Sequence, residues 1–311
     1  MNDDQLFATV LEYPDPVAQE RLEGLVGLDD VRARLVTEAT LLIDPSAVGK
    51  WSAKHHNPSL RAAAEVANRT PLIVLAGDVG TGKTELAETF ADAVARSLRI
   101  EMSLYSLSLS ARGKGIVGEM TTLIAAAFAT IATQGKACRN SDGRIRRGLI
   151  LLIDEGDALA QSRELGQMHH EDRAGVNALI RGIDELRQAG LPVLTVLCTN
   201  RPGAIDPAVR RRAAAVFNLG RPTDEQRHAL IAKLLDGIRV TAGDMKTLVA
   251  ATGPTKSRDY GFTFSDIRQR LVPEAVLAAV RHDRPLTSQT LIEVASALEP
   301  TRPFIDIDGS V

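Results

Sequence analysis

The chain has 311 residues, 44% of them hydrophobic, with a formal net charge of −2. This suffices for one large domain or two modest ones with real cores, leaves no apolar run of the roughly 18 residues a membrane span needs, and gives no global positive field for nucleic acid. The acidic start "MNDDQ" lacks the basic segment of a secretory signal, so a cytosolic protein is expected, and Cys138 and Cys198, far apart in unlike surroundings, read as free thiols.

Residues 1–21 are polar, carry "YPDP" and show no sustained periodicity, which predicts a short N-terminal arm. The turn "LVGLDD" leads into an amphipathic helix, "VRARLVTEATLLI", where Asp29 or Asp30 can accept from the free amides of the first turn. "VGKWSAKHHNPSL" reads as a loop or broken helix. After it, short apolar runs alternate with helical segments. "PLIVLAG" precedes "TELAETFADAVARSL", "IEMSLYSLS" precedes "GEMTTLIAAAFATIATQG", "GLILLID" precedes "RAGVNALIRGIDELRQAG", "LPVLTVLCTN" precedes "DPAVRRRAAA", and "AVFNLG" closes the series. Continuous apolar strands alternating with helices predict an α/β domain over 22–220 with a parallel sheet flanked by helices. From residue 221 only helical patterns remain, predicting a smaller helical lid domain at 221–300 and a tail at 301–311.

The chemistry concentrates in four places. Gly77, Asp78, Val79, Gly80, Thr81, Gly82, Lys83 and Thr84 spell "GDVGTGKT", matching G-x-x-x-x-G-K-[ST] between a buried-type strand and a helix. The glycines let backbone amides turn toward phosphate oxygens, Lys83 can reach the β- and γ-phosphates of ATP, and Thr84 can ligate Mg²⁺. In "LILLIDEGDAL", Asp154 ends a buried strand where it can hold the magnesium shell, and Glu155 can polarise water toward the γ-phosphate. Asp157 reads as a helix cap. Asn200 ends an apolar strand expected beside that of Asp154, where its amide could orient the attacking water. Finally, "CRNSDGRIRRGLI" carries four arginines and no nearby aromatics to stack bases, and reads as a solvated loop.

Together, the glycine-rich loop, "IDEGDALAQSRE", "TNRPGAIDPAVRRR" and the helical lid resemble an AAA+ P-loop ATPase over residues of about 22–295. The resemblance implies that Asn200 is the sensor 1 residue. It also implies an arginine finger that completes a neighbour's ATP site: Arg211 or Arg212, with Arg212 preferred because it stands just before the last strand, ahead of Arg210. Val26 and Gly27 match the segment that borders adenine. Ser265 stands where many members place the sensor 2 arginine, with Arg268 one helical turn later. "KGIVGEM" is similar to a pore loop, with Ile116 at the usual aromatic position and Val117 after it. His169 and His170 fall where a second pore loop is expected.

The residues before and after the ATPase pattern carry no protease, zinc or winged-helix motif, so no separate substrate-binding or DNA-binding module is expected. "MHHEDRAGVNALIRGID", "DPAVRRRAA" and "FTFSDIRQRLVPEAVLAA" resemble the bacterial pachytene-checkpoint-type AAA+ remodellers found with cyclic-oligonucleotide antiphage systems (CBASS). That likeness implies a homo-hexamer that uses ATP and Mg²⁺ to unfold part of a HORMA-domain protein through its pore, disassembling its complex with a signalling nucleotidyltransferase and so restraining antiphage signalling. It implies no membrane and disfavours nucleic acid as partner; a nucleic-acid loader is the alternative, and an ATP-driven assembly switch a third.

Overall fold

The computed structural model describes residues 6–57, 59–108, 119–157, 170–201, 203, 205–256 and 258–304, with the backbone alone at 108, 119 and 170–172. The described elements, in chain order, begin with strand β1 (Thr9–Tyr13) and helices α1 (Pro16–Glu23), α2 (Asp29–Ile43), α3 (Ser46–His55) and α4 (Arg61–Ala67). Next come β2 (Leu72–Gly77), α5 (Lys83–Leu98), β3 (Glu101–Ser108), α6 (Glu119–Lys136), β4 (Arg147–Asp154), α7 (His170–Ala189), β5 (Val193–Thr199), α8 (Pro207–Arg212) and β6 (Ala215–Leu219). Helices α9 (Asp224–Leu234), α10 (Ala242–Ala251), a π-helical turn (Asp266–Leu271), α11 (Val272–Arg281) and α12 (Ser288–Ala297) complete the set.

Two compact units divide these elements, one of residues 1–24, 30–76 and 84–218, the other of 25–29, 77–83 and 219–311. The first holds a six-stranded sheet of order β1-β3-β4-β5-β2-β6. Strands β3, β4, β5 and β2 run parallel, and β2 and β5 are buried along their whole length, as their unbroken apolar sequences predict. Alternate residues serve opposite faces of the sheet. Leu72, Val74, Leu149, Leu151 and Ile153 join a core with Ile124 and Phe128 of α6 and Leu179 and Ile183 of α7. On the other face Ile73, Leu75, Ile150 and Leu152 are also fully buried.

The N-terminal segment corrects the sequence reading. Within the stretch read as a short arm, Thr9–Tyr13 pairs antiparallel with β3, adding a strand to the parallel set β3, β4, β5 and β2, so the sheet is mixed. Most of β1 is exposed, as suits an edge strand, and such a strand lacks the apolar run by which the buried strands are read. Its anchorage comes from α5. The Tyr13 hydroxyl donates to the Glu88 carbonyl, the Asp15 amide donates to Asp92 at 2.7 Å, and Arg21 pairs with Glu85 at 2.8 Å and Glu88 at 2.9 Å. Burial, foremost, raises the Tyr13 hydroxyl pKa well above the ordinary tyrosine value, with the nearby Glu88 adding to it. The stretch "VGKWSAKHHNPSL", read as a loop or broken helix, continues helix α3 as far as His55, where the helix breaks.

The second unit is built on helices α9–α12, whose core includes Leu230, Leu248, Phe262, Ile267, Leu271 and Leu291, with Val26 packed against it. Helices α9 and α10 start with capping boxes, Thr223 with Gln226 and Thr241 with Asp244. The π turn has a local cause. Pro273 has no N–H to return to the Gln269 carbonyl and its ring crowds that carbonyl, so the hydrogen-bond ladder widens just before it.

Asp266, 1% exposed, holds this region together. It accepts from the backbone of Thr263 at 3.0 Å and of Thr301 at 3.1 Å, from the Thr301 hydroxyl at 2.7 Å and from Arg270 at 2.8 Å. Burial raises its pKa, but the hydrogen bonds from Thr263, Thr301 and Arg270 outweigh it and hold the carboxyl below its ordinary value. A carboxylate with a depressed folded pKa contributes its full stability above its unfolded pKa of about 3.9 and loses it as pH falls through that value toward the folded one. Asp266→Asn is therefore expected to destabilise the protein at pH 7 by about 2 kcal/mol, and the gap from wild type should shrink below about pH 4. Thermal melts of both proteins across that range measure it; equal melting temperatures at pH 7 would refute it.

Candidate ATPase site

The phosphate loop groups with the second unit. Gly80 takes φ 75°, and a Cβ there would lie 2.6 Å from the Thr263 hydroxyl oxygen, so only glycine fits. The Gly80 carbonyl accepts the Ser265 amide at 3.1 Å. Thr81 and Lys83 both donate to the Asp78 carbonyl at 2.8 Å, and Lys83 is buried. The Lys83 ammonium is thus folded back onto its own loop. Gln226 Nε2 donates to the Gly27 carbonyl at 2.7 Å, fixing the turn that the sequence reading assigned to adenine. Ser265, where the resemblance places an arginine in many members, meets the phosphate loop through its backbone amide, and Arg268 is exposed.

Within the first unit, Thr84 Oγ1 donates to Asp154 Oδ2 at 3.1 Å. Two hard oxygens so close, one hydroxyl and one carboxylate, are a donor set that fits Mg²⁺. Glu155 follows with φ 52° and an exposed side chain. A glutamate in the left-handed region is strained, and such strain persists only where neighbouring structure enforces it. Gly156 supplies that restraint: its amide donates to the Cys198 carbonyl at 2.9 Å, and a Cβ would collide with Leu197 at 2.3 Å. The turn after β4 is therefore pressed onto the end of β5.

Asp157 completes this junction. It accepts from the Thr199 hydroxyl at 2.8 Å, the Asn200 amide at 2.6 Å and the Asn200 side-chain nitrogen at 3.1 Å. The pairing of β4 with β5 puts Asn200 beside the Asp154 strand as expected, and Asp157 fixes the Asn200 side chain there. The sequence reading gave Asp157 only a capping role, because its partners lie 42 and 43 residues away.

At α8, Asp206 caps the helix by accepting the Ala208 amide at 2.7 Å, with Pro207 at its first position. The three arginines at its end differ. Arg212 donates to Asp184 of α7 at 3.1–3.3 Å and to the Ala208 carbonyl at 3.2 Å. Arg210 and Arg211 are exposed. Ile116, Val117 and His169 lie outside the described residues, as does the side chain of His170, the first residue of α7. The arginine-rich segment is engaged with its own chain: Arg139 donates to the Gly143 and Gly190 carbonyls at 3.0 and 3.3 Å, Arg146 to Ala137 at 3.3 Å, and Arg147 to Glu101 at 3.0 Å. Among the described residues no helix is long and apolar enough to cross a membrane.

A strand–loop–helix of this kind, followed by an acidic strand end and a polar strand end beside it, defines a P-loop ATPase. Residues 73–221 match the ATPase family associated with various cellular activities (AAA). The chain is 50% identical over 304 residues to CD-NTase-associated protein 6 of Escherichia coli (strain MS 115-1), covering 97% of each protein. It is 38% identical to the protein of the same description from E. coli strain KTE188, over 99% of this chain and all of that one. Among solved structures, a chain of the E. coli MS115-1 HORMA:CdnC:Trip13 complex matches with 47% identity and a TM-score of 0.90, covering 98% of this chain and 99% of that one. A Rhizobiales Trip13 structure matches with 43% identity and a TM-score of 0.74, over 96% and 100%. The chain is an ATPase of the AAA family, similar over nearly its whole length to the Trip13-like CD-NTase-associated proteins 6.

Proposed function

We propose that this ATPase remodels a HORMA-domain protein, working as a homo-hexamer that pulls part of that protein through its pore and so separates it from a signalling nucleotidyltransferase, damping antiphage signalling. The observation that carries this reading is full-length similarity to a chain solved in a HORMA:CdnC:Trip13 complex. The residues have the following roles. The amides of Gly80 and Gly82, with Lys83, bind the β- and γ-phosphates, Lys83 turning from the Asp78 carbonyl to the anion. Thr84 and Asp154 would hold Mg²⁺, which would supply charge neutralisation to the phosphates. Glu155, held by the strained turn, accepts a proton from the attacking water. Asn200, fixed by Asp157, orients that water. Val26 and Gly27 border the base.

Arg211 supplies the finger to the adjacent protomer. This shifts the preference from Arg212, whose guanidinium is tied to Asp184 and serves to hold the end of α8. A planar cation free to reach across a subunit boundary stabilises the charge of the transferring phosphoryl group. Ile116, Val117, His169 and His170 contact the substrate chain.

The test is ATP turnover of the purified protein alone, with a HORMA-domain partner, and with single-stranded or duplex DNA. Several-fold stimulation by the HORMA protein only, lost in Ile116→Ala, is the expected result. Stimulation by DNA only would replace the reading with that of a nucleic-acid loader.

A further inference from the structure

Asp78 is an anomaly in a loop that receives phosphate. The loop works by presenting N–H groups and positive potential to anions, and a carboxylate among them repels the ligand. With Lys83 as the other charged side chain of the Gly77–Lys83 segment, the two formal charges of that segment cancel. The structure shows where compensation comes from. Arg221, two residues past β6, donates through Nε to Asp78 Oδ2 at 2.8 Å, and its Nη2 donates to the same oxygen. Both side chains are largely removed from solvent, at 14% and 15% exposure.

Each member of the pair has further partners. Asp78 Oδ1 accepts the Val79 amide at 2.8 Å and the Phe304 amide at 3.2 Å. Arg221 Nη1 donates to the Gly261 carbonyl at 2.6 Å, and its guanidinium lies over the Tyr260 ring at 5.0 Å. The ion pair therefore joins the start of the phosphate loop to the Tyr260–Gly261 segment within the same compact unit. A pair buried to this degree behaves asymmetrically: losing one partner leaves an uncompensated charge, whereas losing both removes the problem.

We propose that Arg221 is a positioning residue for nucleotide, needed because it neutralises Asp78 and fixes that carboxylate away from the incoming phosphates. Its importance is conditional on Asp78. The inference rests on the assignment of Gly77–Thr84 as the ATP-phosphate site.

The experiment is an equilibrium titration of the full-length chain with N-methylanthraniloyl-ATP and Mg²⁺, with melting temperatures measured in parallel. Arg221→Ala should weaken binding about tenfold or more, and adding Asp78→Asn in the same chain should restore it to within about threefold of wild type. A double variant as weak as Arg221→Ala, or an Arg221→Ala protein that binds normally, would overturn the proposal. If Arg221→Ala does not fold, Arg221→Gln, which can still donate to the Gly261 carbonyl, is judged by the same two criteria. Lys83→Ala separates the underlying assignment. Wild-type affinity in that variant would mean the loop is not the phosphate site, whereas lost affinity there leaves the Arg221 result to stand or fall alone.

Discussion

Glu155→Gln is expected to bind ATP with wild-type affinity and to hydrolyse it at least about a hundredfold more slowly, the size of effect that general-base removal produces. The amide keeps the shape of the side chain, and the backbone strain at φ 52° is maintained by Gly156 and Cys198 rather than by the side chain itself. Affinity should therefore be spared and turnover lost. The variant should also accumulate a stable complex with the HORMA-domain substrate, because the proposed function uses ATP hydrolysis to move that substrate through the pore. Single-turnover hydrolysis, alongside nucleotide titration, measures the two effects separately. Hydrolysis at the wild-type rate would remove Glu155 from the role of base.

Arg211→Ala should likewise retain nucleotide binding while turnover falls by about a thousandfold, within the range removed with an arginine finger in phosphoryl transfer. Arg212→Ala should cost less, since its contacts with Asp184 and the Ala208 carbonyl support α8 rather than reach outward. A mixing experiment distinguishes action within a chain from action across a boundary. A Glu155→Gln protomer still carries Arg211, and an Arg211→Ala protomer still carries Glu155, so neighbours of the two kinds can form an intact composite site. Mixing the two inactive proteins should restore part of the turnover. No recovery in assembled mixtures would place the arginine in its own chain's site, and full activity of Arg211→Ala alone would return the role to Arg212.

Both predictions depend on residues whose surroundings were only partly legible before folding. The phosphate loop, the Asp154–Glu155 pair and the position of Asn200 at a strand end could be read directly. Each is a contiguous segment whose backbone course is set by its own residues: unbroken apolar runs that must be buried as strands, glycines that permit the turn, and polar residues that end the run. Adjacency of the β4 and β5 ends was an inference from order along the chain, and the strand pairing agrees with it.

The contacts that complete the site were not legible, because they join residues far apart in sequence and carry no local pattern. Asp157 meets Asn200 across 43 residues, Arg212 meets Asp184 across 28, and Asp78 meets Arg221 across 143. The edge strand β1 was missed for a related reason: with most of its side chains in solvent it need not be apolar, and its identity comes from the hydrogen bonds β3 offers it. The sequence by itself determined the class of the protein and the chemical groups proposed to meet ATP, since those follow from residue type and short-range backbone geometry. The tertiary structure decided which of those groups are held, neutralised or left free to act, since that depends on which distant side chains folding brings within hydrogen-bonding reach.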